Sequence, residues 1–308
     1  MKRVAASVLA GSFCVLTAIP GGRAFAQESA VATVGDRPAV ADKPSQQSKQ
    51  GDEVEAPKQT FAEALSSGKA AVNLNYRFEF LQDDNLDLNG QASTLRTTLS
   101  YGTKPFRGFL VYLQAENVTN VGLGDHHNNK GWGDSGNGVT DRPVIADPPV
   151  TEMLQAFVEY ANAGSAIQIG RQVINLDDQR HVGAVGWRQH WQSHDAVRFR
   201  NDRFSDFVFN YAFLDRVHRI FRDKVDTSSH LINARYKLDG IGAVTGYGYF
   251  LRYDDEAFYG ASRDTIGAEF KGSRAVGGAT LHYEFEYAHQ SDAGNNPTRV
   301  DASYLHLV

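Results

Sequence analysis

Glu284 and Glu286 stand two residues apart, a spacing that on a β-strand turns both carboxylates to one face, where a glycosidase uses one as acid and one as nucleophile. A second chemistry is offered between Trp187 and Lys237, where Arg188, Arg198, Arg200, Arg203, Arg216, Arg219, Arg222, Lys224, Arg235 and Lys237 face only six aspartates. A guanidinium holds a carboxylate through two parallel hydrogen bonds, and a wall of them inside a low-dielectric pore favours anions. His190 and His194 have the i, i+4 spacing of a metal pair, but that geometry needs a helix and a third ligand; neither is evident, so no metal site is expected. The loop 122–138, with Asp125, His126, His127, Asn128, Asn129, Asp134 and Asn137, lacks the EF-hand spacing and reads as a surface loop or one folded into a pore. No Ser-His-Asp array, phosphate loop or dinucleotide fingerprint stands in a strand-to-helix context, and no cofactor is implied.

The elements that must carry these residues read as strands. From residue 71 onward apolar and polar residues alternate, as in Val72-Asn73-Leu74-Asn75-Tyr76-Arg77-Phe78-Glu79-Phe80. Twelve such runs are expected, at 71–81, 93–101, 108–117, 152–160, 166–175, 191–200, 205–214, 229–238, 243–253, 264–271, 276–289 and 301–308. Most approach the roughly 9–11 residues that a tilted strand needs to cross a bilayer. Short connections at 102–107, 161–165, 201–204, 239–242 and 272–275 alternate with longer polar ones at 82–92, 118–151, 176–190, 215–228, 254–263 and 290–300. Tight turns at one end and long loops at the other characterise an outer-membrane barrel.

The beginning of the chain fits that destination. Lys2 and Arg3, the apolar run 4–20 and the small-x-small triplet Ala24-Phe25-Ala26 form a signal peptide, with cleavage expected before Gln27. The only cysteine, Cys14, lies within it, which excludes disulfides and thiolate-bound metals from the mature protein. Residues 27–60 are rich in Ala, Ser, Gln, Pro and charge, a composition that cannot bury enough apolar surface to offset chain entropy, and read as a disordered periplasmic tail. With 42% hydrophobic and 22% charged residues the chain is too polar for a bundle of membrane helices and too apolar for wholesale disorder. The formal charge is −5, or −8 once Lys2, Arg3 and Arg23 leave with the leader, which disfavours nucleic acid as a partner.

Sorting the strands by alternation gives an apolar, aromatic-rich face (Leu95, Leu99, Tyr101; Phe207, Phe209, Tyr211, Phe213; Leu281, Tyr283, Phe285, Tyr287) and a polar one. The polar face carries Arg77, Arg96, Arg198, Arg200, Arg235, Lys237, Arg252 and Lys271 against Glu79, Glu116, Glu159, Glu269, Glu284 and Glu286. Either the apolar face meets lipid and the polar face lines a lumen, or a soluble sandwich buries the apolar face against a second sheet.

The segment Ile169-Gly170-Arg171-Gln172-Val173-Ile174, continuing through Val185-Gly186-Trp187-Arg188-Gln189 to His194-Asp195-Ala196-Val197-Arg198-Phe199, resembles the alginate-export family of outer-membrane β-barrels. Leu154-Gln155-Ala156-Phe157-Val158-Glu159-Tyr160 fits it too, and the likeness runs from about residue 61 to 308. The resemblance implies a monomeric barrel that passes an anionic polysaccharide through an arginine-rich constriction, with Arg171, Arg188 and Arg198 at the basic positions and Asp195 orienting them. Family barrels have about 18 strands, within the range such proteins span. Twelve runs and a terminal Val308 in place of an aromatic residue therefore imply a shortened chain or a smaller barrel. Strict alternation from Ile167 and Ile169 turns Arg171 toward lipid unless a bulge intervenes.

The expectation is an all-β, antiparallel transmembrane barrel: an outer-membrane channel for an alginate-like polysaccharide or related anionic solute. It contacts outer-membrane lipid and has no enzymatic activity and no cofactor. Its pore residues are Arg77, Arg96, Arg171, Arg188, Asp195, Arg198, Arg200, Arg235, Lys237 and Arg252. The competing expectation is a secreted β-sandwich glycan hydrolase or binding protein built around Glu284 and Glu286.

Overall fold

A computed structural model describes residues 6–9, 60–131 and 136–308. Its strands are β1 (Ala6–Leu9), β2 (Lys69–Leu81), β3 (Gly90–Gly102), β4 (Phe109–Asn120), β5 (Thr151–Asn162), β6 (Ser165–Gln172) and β7 (Ser193–Phe204). They continue with β8 (Phe207–His218), β9 (Lys224–Leu238), β10 (Gly242–Leu251), β11 (Arg263–Val276), β12 (Ala279–Asp292) and β13 (Asp301–Leu307). Each pairs antiparallel with its sequence neighbours, giving one sheet in chain order with β1 and β13 at its edges. All twelve expected strands are present. Of the expected leader only the backbone of β1 is described, paired with Phe78–Leu81, and the expected tail up to residue 59 lies outside the described residues.

The alternation that defines the strands also fixes which way each side chain points. Along β9, Val225, Thr227, Ser229, Leu231 and Asn233 are buried while Asp226, Ser228, His230 and Ile232 between them are exposed. Across the sheet the exposed face is the apolar one: Leu99, Val158, Ile167, Ile169, Ile266, Leu281, Phe285 and Leu305 all lie on it. The buried face carries Arg77, Glu79, Arg96, Glu116, Glu269 and Glu286. This inverts the pattern of a water-soluble sheet, and it is the arrangement of a barrel with an apolar exterior and a polar interior. Among the described residues no second sheet covers the apolar face, so the β-sandwich expectation is overturned.

Chain connections follow the expected asymmetry. One end has the turns 103–108, 163–164, 205–206, 239–241 and 277–278; the other has the loops 82–89, 121–150, 173–192, 252–262 and 293–300. Two of the three two-residue turns use positive φ, which matches the twist of the flanking strands: Ala163 and Gly164 at 45° and 79°, Gly277 and Gly278 at 55° and 86°. The expected long loop 215–228 is a correction. It is reduced to 219–223, because a bulge at Leu214/Arg216 lets both strands run on, with Arg216 opposite Asp226. Sequence reading also missed α1 (Phe61–Ser66), although Thr60 and Glu63 form a capping box that marks its start.

Ile169, 57% exposed in mid-strand on β6, tests which face meets lipid. Ile169→Arg is expected to lower the free energy of folding into bilayers by about 2–4 kcal/mol, read from denaturant titration in lipid vesicles. A change within about 0.5 kcal/mol, the usual effect of a water-exposed surface substitution, would contradict the assignment.

Candidate functional site: a loop that crosses the interior

Residues 173–192 leave β6 and fold inward instead of rising from the rim. The reason is local composition: Ile174, Leu176 and Val182 are apolar and are buried against Ala196, Ala212, Leu214, Leu231, Tyr247, Tyr249 and Ala288 on the inner wall, while Val173, Ala184 and Trp191 gather round Leu154. Each such burial contributes about 1.5–3 kcal/mol.

The first half of the loop is fastened to β9–β13. Asp177 Oδ2 accepts from Asn233 Nδ2 at 2.7 Å and from the Tyr249 hydroxyl at 3.0 Å, and burial pushes its carboxyl above the usual range. Arg180 donates to Asp178 at 2.7 Å, approaches Glu286 at 3.6 Å and lies over the Tyr304 ring at 4.4 Å. The His181 ring sits among Tyr247, Tyr249 and Tyr304, and burial lowers its pKa, which favours the neutral imidazole.

The second half is fastened to β2–β4. Arg77 donates to the Trp187 carbonyl at 2.7 Å, Arg188 pairs with Glu79 at 3.2 Å, and Gln189 Nε2 donates to Thr94 O at 3.1 Å. Both His190 ring nitrogens face acceptors, Glu116 at 2.9 Å and the Pro148 carbonyl at 2.6 Å. Glu116, fully buried, also receives Arg96 at 2.9 Å and has Arg222 at 4.0 Å, while Arg222 pairs with Glu152. The neighbouring loop joins here through Asp147, which accepts from the Gln189 amide at 3.3 Å. One loop thus touches strands near both edges of the sheet, so the sheet curls round it and the loop spans the space within.

An opening remains on each side of the crossing. On the side of the short turns, about 230 Å³ is lined by Asp177, Asp178, Arg235, Ala243, Thr245, Glu269 and Lys271. On the side of the long loops, about 240 Å³ is lined by Arg180, His181, Tyr249, Tyr253, Arg263, Thr265 and Gln290 among others. Within the described residues neither Arg235 nor Arg263 makes an ion pair, so each opening holds a guanidinium without a carboxylate partner. Arg263 escaped the sequence reading, although one more residue at the start of its expected strand would have placed it inward.

The expected pore residues fall into three groups. Arg77, Arg96 and Arg188 face the interior but are tied to Glu79, Glu116 and the crossing loop. Arg198, Arg200, Arg235 and Lys237 occupy inward positions on β7 and β9; Arg198 donates to Asn210 at 3.0 Å, Arg200 lies 3.4 Å from Asp202, and Lys237 pairs with Asp239 at 2.8 Å. Arg171, Asp195 and Arg252 share the parity of outward residues. Arg171 alternates with Ile167 and Ile169, and Asp195 is its register partner next to Val197. The two pair at 2.9 Å in a ladder that Arg216 and Asp226 continue at 2.6 Å. Arg252 follows the inward Leu251 and pairs with Asp264 at 2.6 Å. Of the loop 122–138, Asp134 lies outside the described residues, and Asn137 braces the rest by donating to the His127 carbonyl at 2.7 Å.

The family model for alginate export matches residues 69–304. The chain belongs to the alginate-export family. No curated protein matches the chain in sequence. Solved outer-membrane proteins share its fold. Pseudomonas aeruginosa OpdK, solved with vanillate, has a TM-score of 0.60 at 13% identity, over 78% of this chain and 62% of its own. Acinetobacter baumannii OccAB3 gives 0.63 at 12%, over 78% and 62%. Pseudomonas aeruginosa OccK2 (OpdF), solved with glucuronate, gives 0.56 at 12%, over 78% and 60%. The chain therefore spans about three fifths of the length of these structures. The fold that this chain shares with them is an antiparallel barrel.

Glu116→Gln tests how the barrel holds its crossing loop. Removing the carboxylate that Arg96 and His190 both meet leaves the buried Arg96 guanidinium without its counter-charge and is expected to destabilise the protein by about 3–5 kcal/mol. The measurement is the denaturant midpoint at which the compact band on an unheated detergent gel is lost; an unchanged midpoint would contradict the anchoring role.

Proposed function

We propose that the chain forms the wall of an outer-membrane channel that passes an anionic solute by diffusion, either an alginate-like polysaccharide or a smaller uronate. The observation that carries this reading is the pair of guanidiniums without acidic partners, Arg263 and Arg235, one in each opening flanking the crossing loop. An anion entering from either end meets one before the loop and the other after it. Arg198, which donates to the neutral Asn210, extends the basic lining along β7. Contacts of this kind in water are worth about 0.2–1 kcal/mol each, weak enough for the solute to leave as readily as it enters. Membership of the alginate-export family supports the acidic-glycan choice, and the vanillate and glucuronate found in OpdK and OccK2 are both carboxylates.

The same reading places the protein in the outer membrane as a monomer, its apolar face against lipid. It reaches that membrane by a leader over residues 1–26, and residues 27–60 form a periplasmic tail. No step requires a cofactor or a chemical transformation. Glu284 and Glu286 serve as wall charges: Glu286 accepts from the Tyr247 hydroxyl at 2.6 Å, and Glu284 lies 3.1 Å from His306.

In planar bilayers, Arg263→Gln combined with Arg235→Gln is expected to lower the anion-over-cation permeability ratio by about twofold or more, since fixed charge in a narrow lumen sets the local counter-ion concentration. Glucuronate block of the current is expected to weaken in parallel. A ratio unchanged in the double variant would remove the basic-lining mechanism while leaving the barrel intact.

A further inference from the structure

Trp187, in the second half of the crossing loop, is 66% exposed, more than any other aromatic ring among the described residues. That exposure is not to lipid. The Trp187 carbonyl accepts from Arg77 at 2.7 Å, and the Arg188 and Arg77 guanidiniums lie 4.2 Å and 5.7 Å from the centre of its ring. Arg77 is a buried residue of the inner wall, and Arg188 pairs with the equally buried Glu79. The indole beside them is therefore bathed by the water of the interior. A ring two-thirds exposed keeps a face open even with Arg188 stacked on it.

The loop holds this ring in one place. The Arg188 amide closes a turn onto the Val185 carbonyl, with Val185 at a φ of 55°. A β-branched residue is seldom found there, because its side chain crowds the neighbouring backbone. Just beyond Trp187, Gln189 donates to Thr94 at 2.9 Å and His190 meets Glu116. The backbone is thus pinned on both sides of a side chain that the fold leaves uncovered, whereas the interior rings of Tyr247 and Tyr249 are buried.

We propose that Trp187 is a stacking platform for the pyranose rings of a saccharide passing through the channel. This rests on the channel reading and adds to it a preference for ring-bearing solutes over small inorganic anions. The C–H groups on one face of a pyranose carry partial positive charge and the face of an indole partial negative charge, so the two attract while the sugar hydroxyls at the rim stay in water. Charge around the platform cancels, Arg77 and Arg188 standing against Glu79 and Asp147. Trp187 therefore sorts solutes by shape and surface, and sorting by charge falls to Arg235 and Arg263 in the openings. One stacking contact is weak enough to be exchanged for the next ring as the solute advances, which conduction requires.

The test records potassium chloride current through the full-length protein in planar bilayers, with an oligomannuronate and, separately, a neutral maltooligosaccharide of similar length as blockers. Trp187→Ala is expected to weaken block by both saccharides about fivefold or more, the order of one lost aromatic stacking contact. Trp187→Phe, which keeps a ring, is expected to hold block within about twofold of the unaltered protein. Both variants are expected to give the compact gel band, since the side chain is largely exposed and the bond from Arg77 goes to the carbonyl. Block that Trp187→Ala leaves unchanged, or that Trp187→Phe loses to the same extent as Trp187→Ala, overturns the platform. The neutral saccharide separates this outcome from the channel reading: absence of anion preference in the unaltered protein defeats the basic lining, while the dependence of neutral block on Trp187 stands or falls by itself.

Discussion

A strand that shows hydrocarbon to the outside and charge to the inside can be stable only if the outside is lipid and the inside is wet or filled by its own polar loops. Everything else in this protein follows from that inversion. Ile169, Ile266 and Leu281 could not stay exposed in water over so large a continuous face, and Arg77, Arg96, Glu116 and Glu286 could not stay buried without partners. The interior answers the second demand with its own loop: residues 173–192 bring Arg188 to Glu79, His190 to Glu116 and Arg180 to Glu286.

Two kinds of contact share the work of holding that loop. At β8–β12 the grip is largely apolar, with Ile174 and Val182 set among Leu231, Tyr247 and Tyr249. At β2–β4 it is ionic and hydrogen-bonded, centred on Glu116. The apolar grip is indifferent to salt, and the buried ionic grip is far less screened than a surface pair. A loop anchored in both ways narrows the lumen and leaves an opening on either side, with Arg235 lining one and Arg263 the other.

Strand positions and the inward or outward face of most strand residues were legible in the sequence because both depend on a two-residue period that lipid and water enforce locally, although Arg252, read as lumenal, falls on the outward parity. Val72 to Phe80 and Leu281 to Tyr287 show it plainly. The same period marked Arg171 as lipid-facing by parity, and the structure puts it beside Asp195 on that face despite its place in the family motif. The destination of the loop 173–192 was not legible. Its anchors, Asn233 for Asp177 and Glu79 for Arg188, lie far away in sequence, and nothing in a list of charges shows which of them are already spent on each other. Arg96 and Arg263 look alike as letters, but one is neutralised by Glu116 and the other is not. The extension of β8 and β9 was hidden for a related reason, since the bulge at Asp215 breaks the period where the two strands continue.

The most direct measurement is accessibility of single cysteines, placed one at a time at Ile266, Leu281, Lys271 and Arg235, to a membrane-impermeant maleimide in outer-membrane vesicles. The account predicts labelling at positions 271 and 235, and none at 266 and 281, where a lipid-borne spin label should instead quench an attached fluorophore. Ready labelling at 266 and 281 with protection at 271 and 235 would mean that the apolar face is in water and the charged face is packed away, and the channel reading would fail.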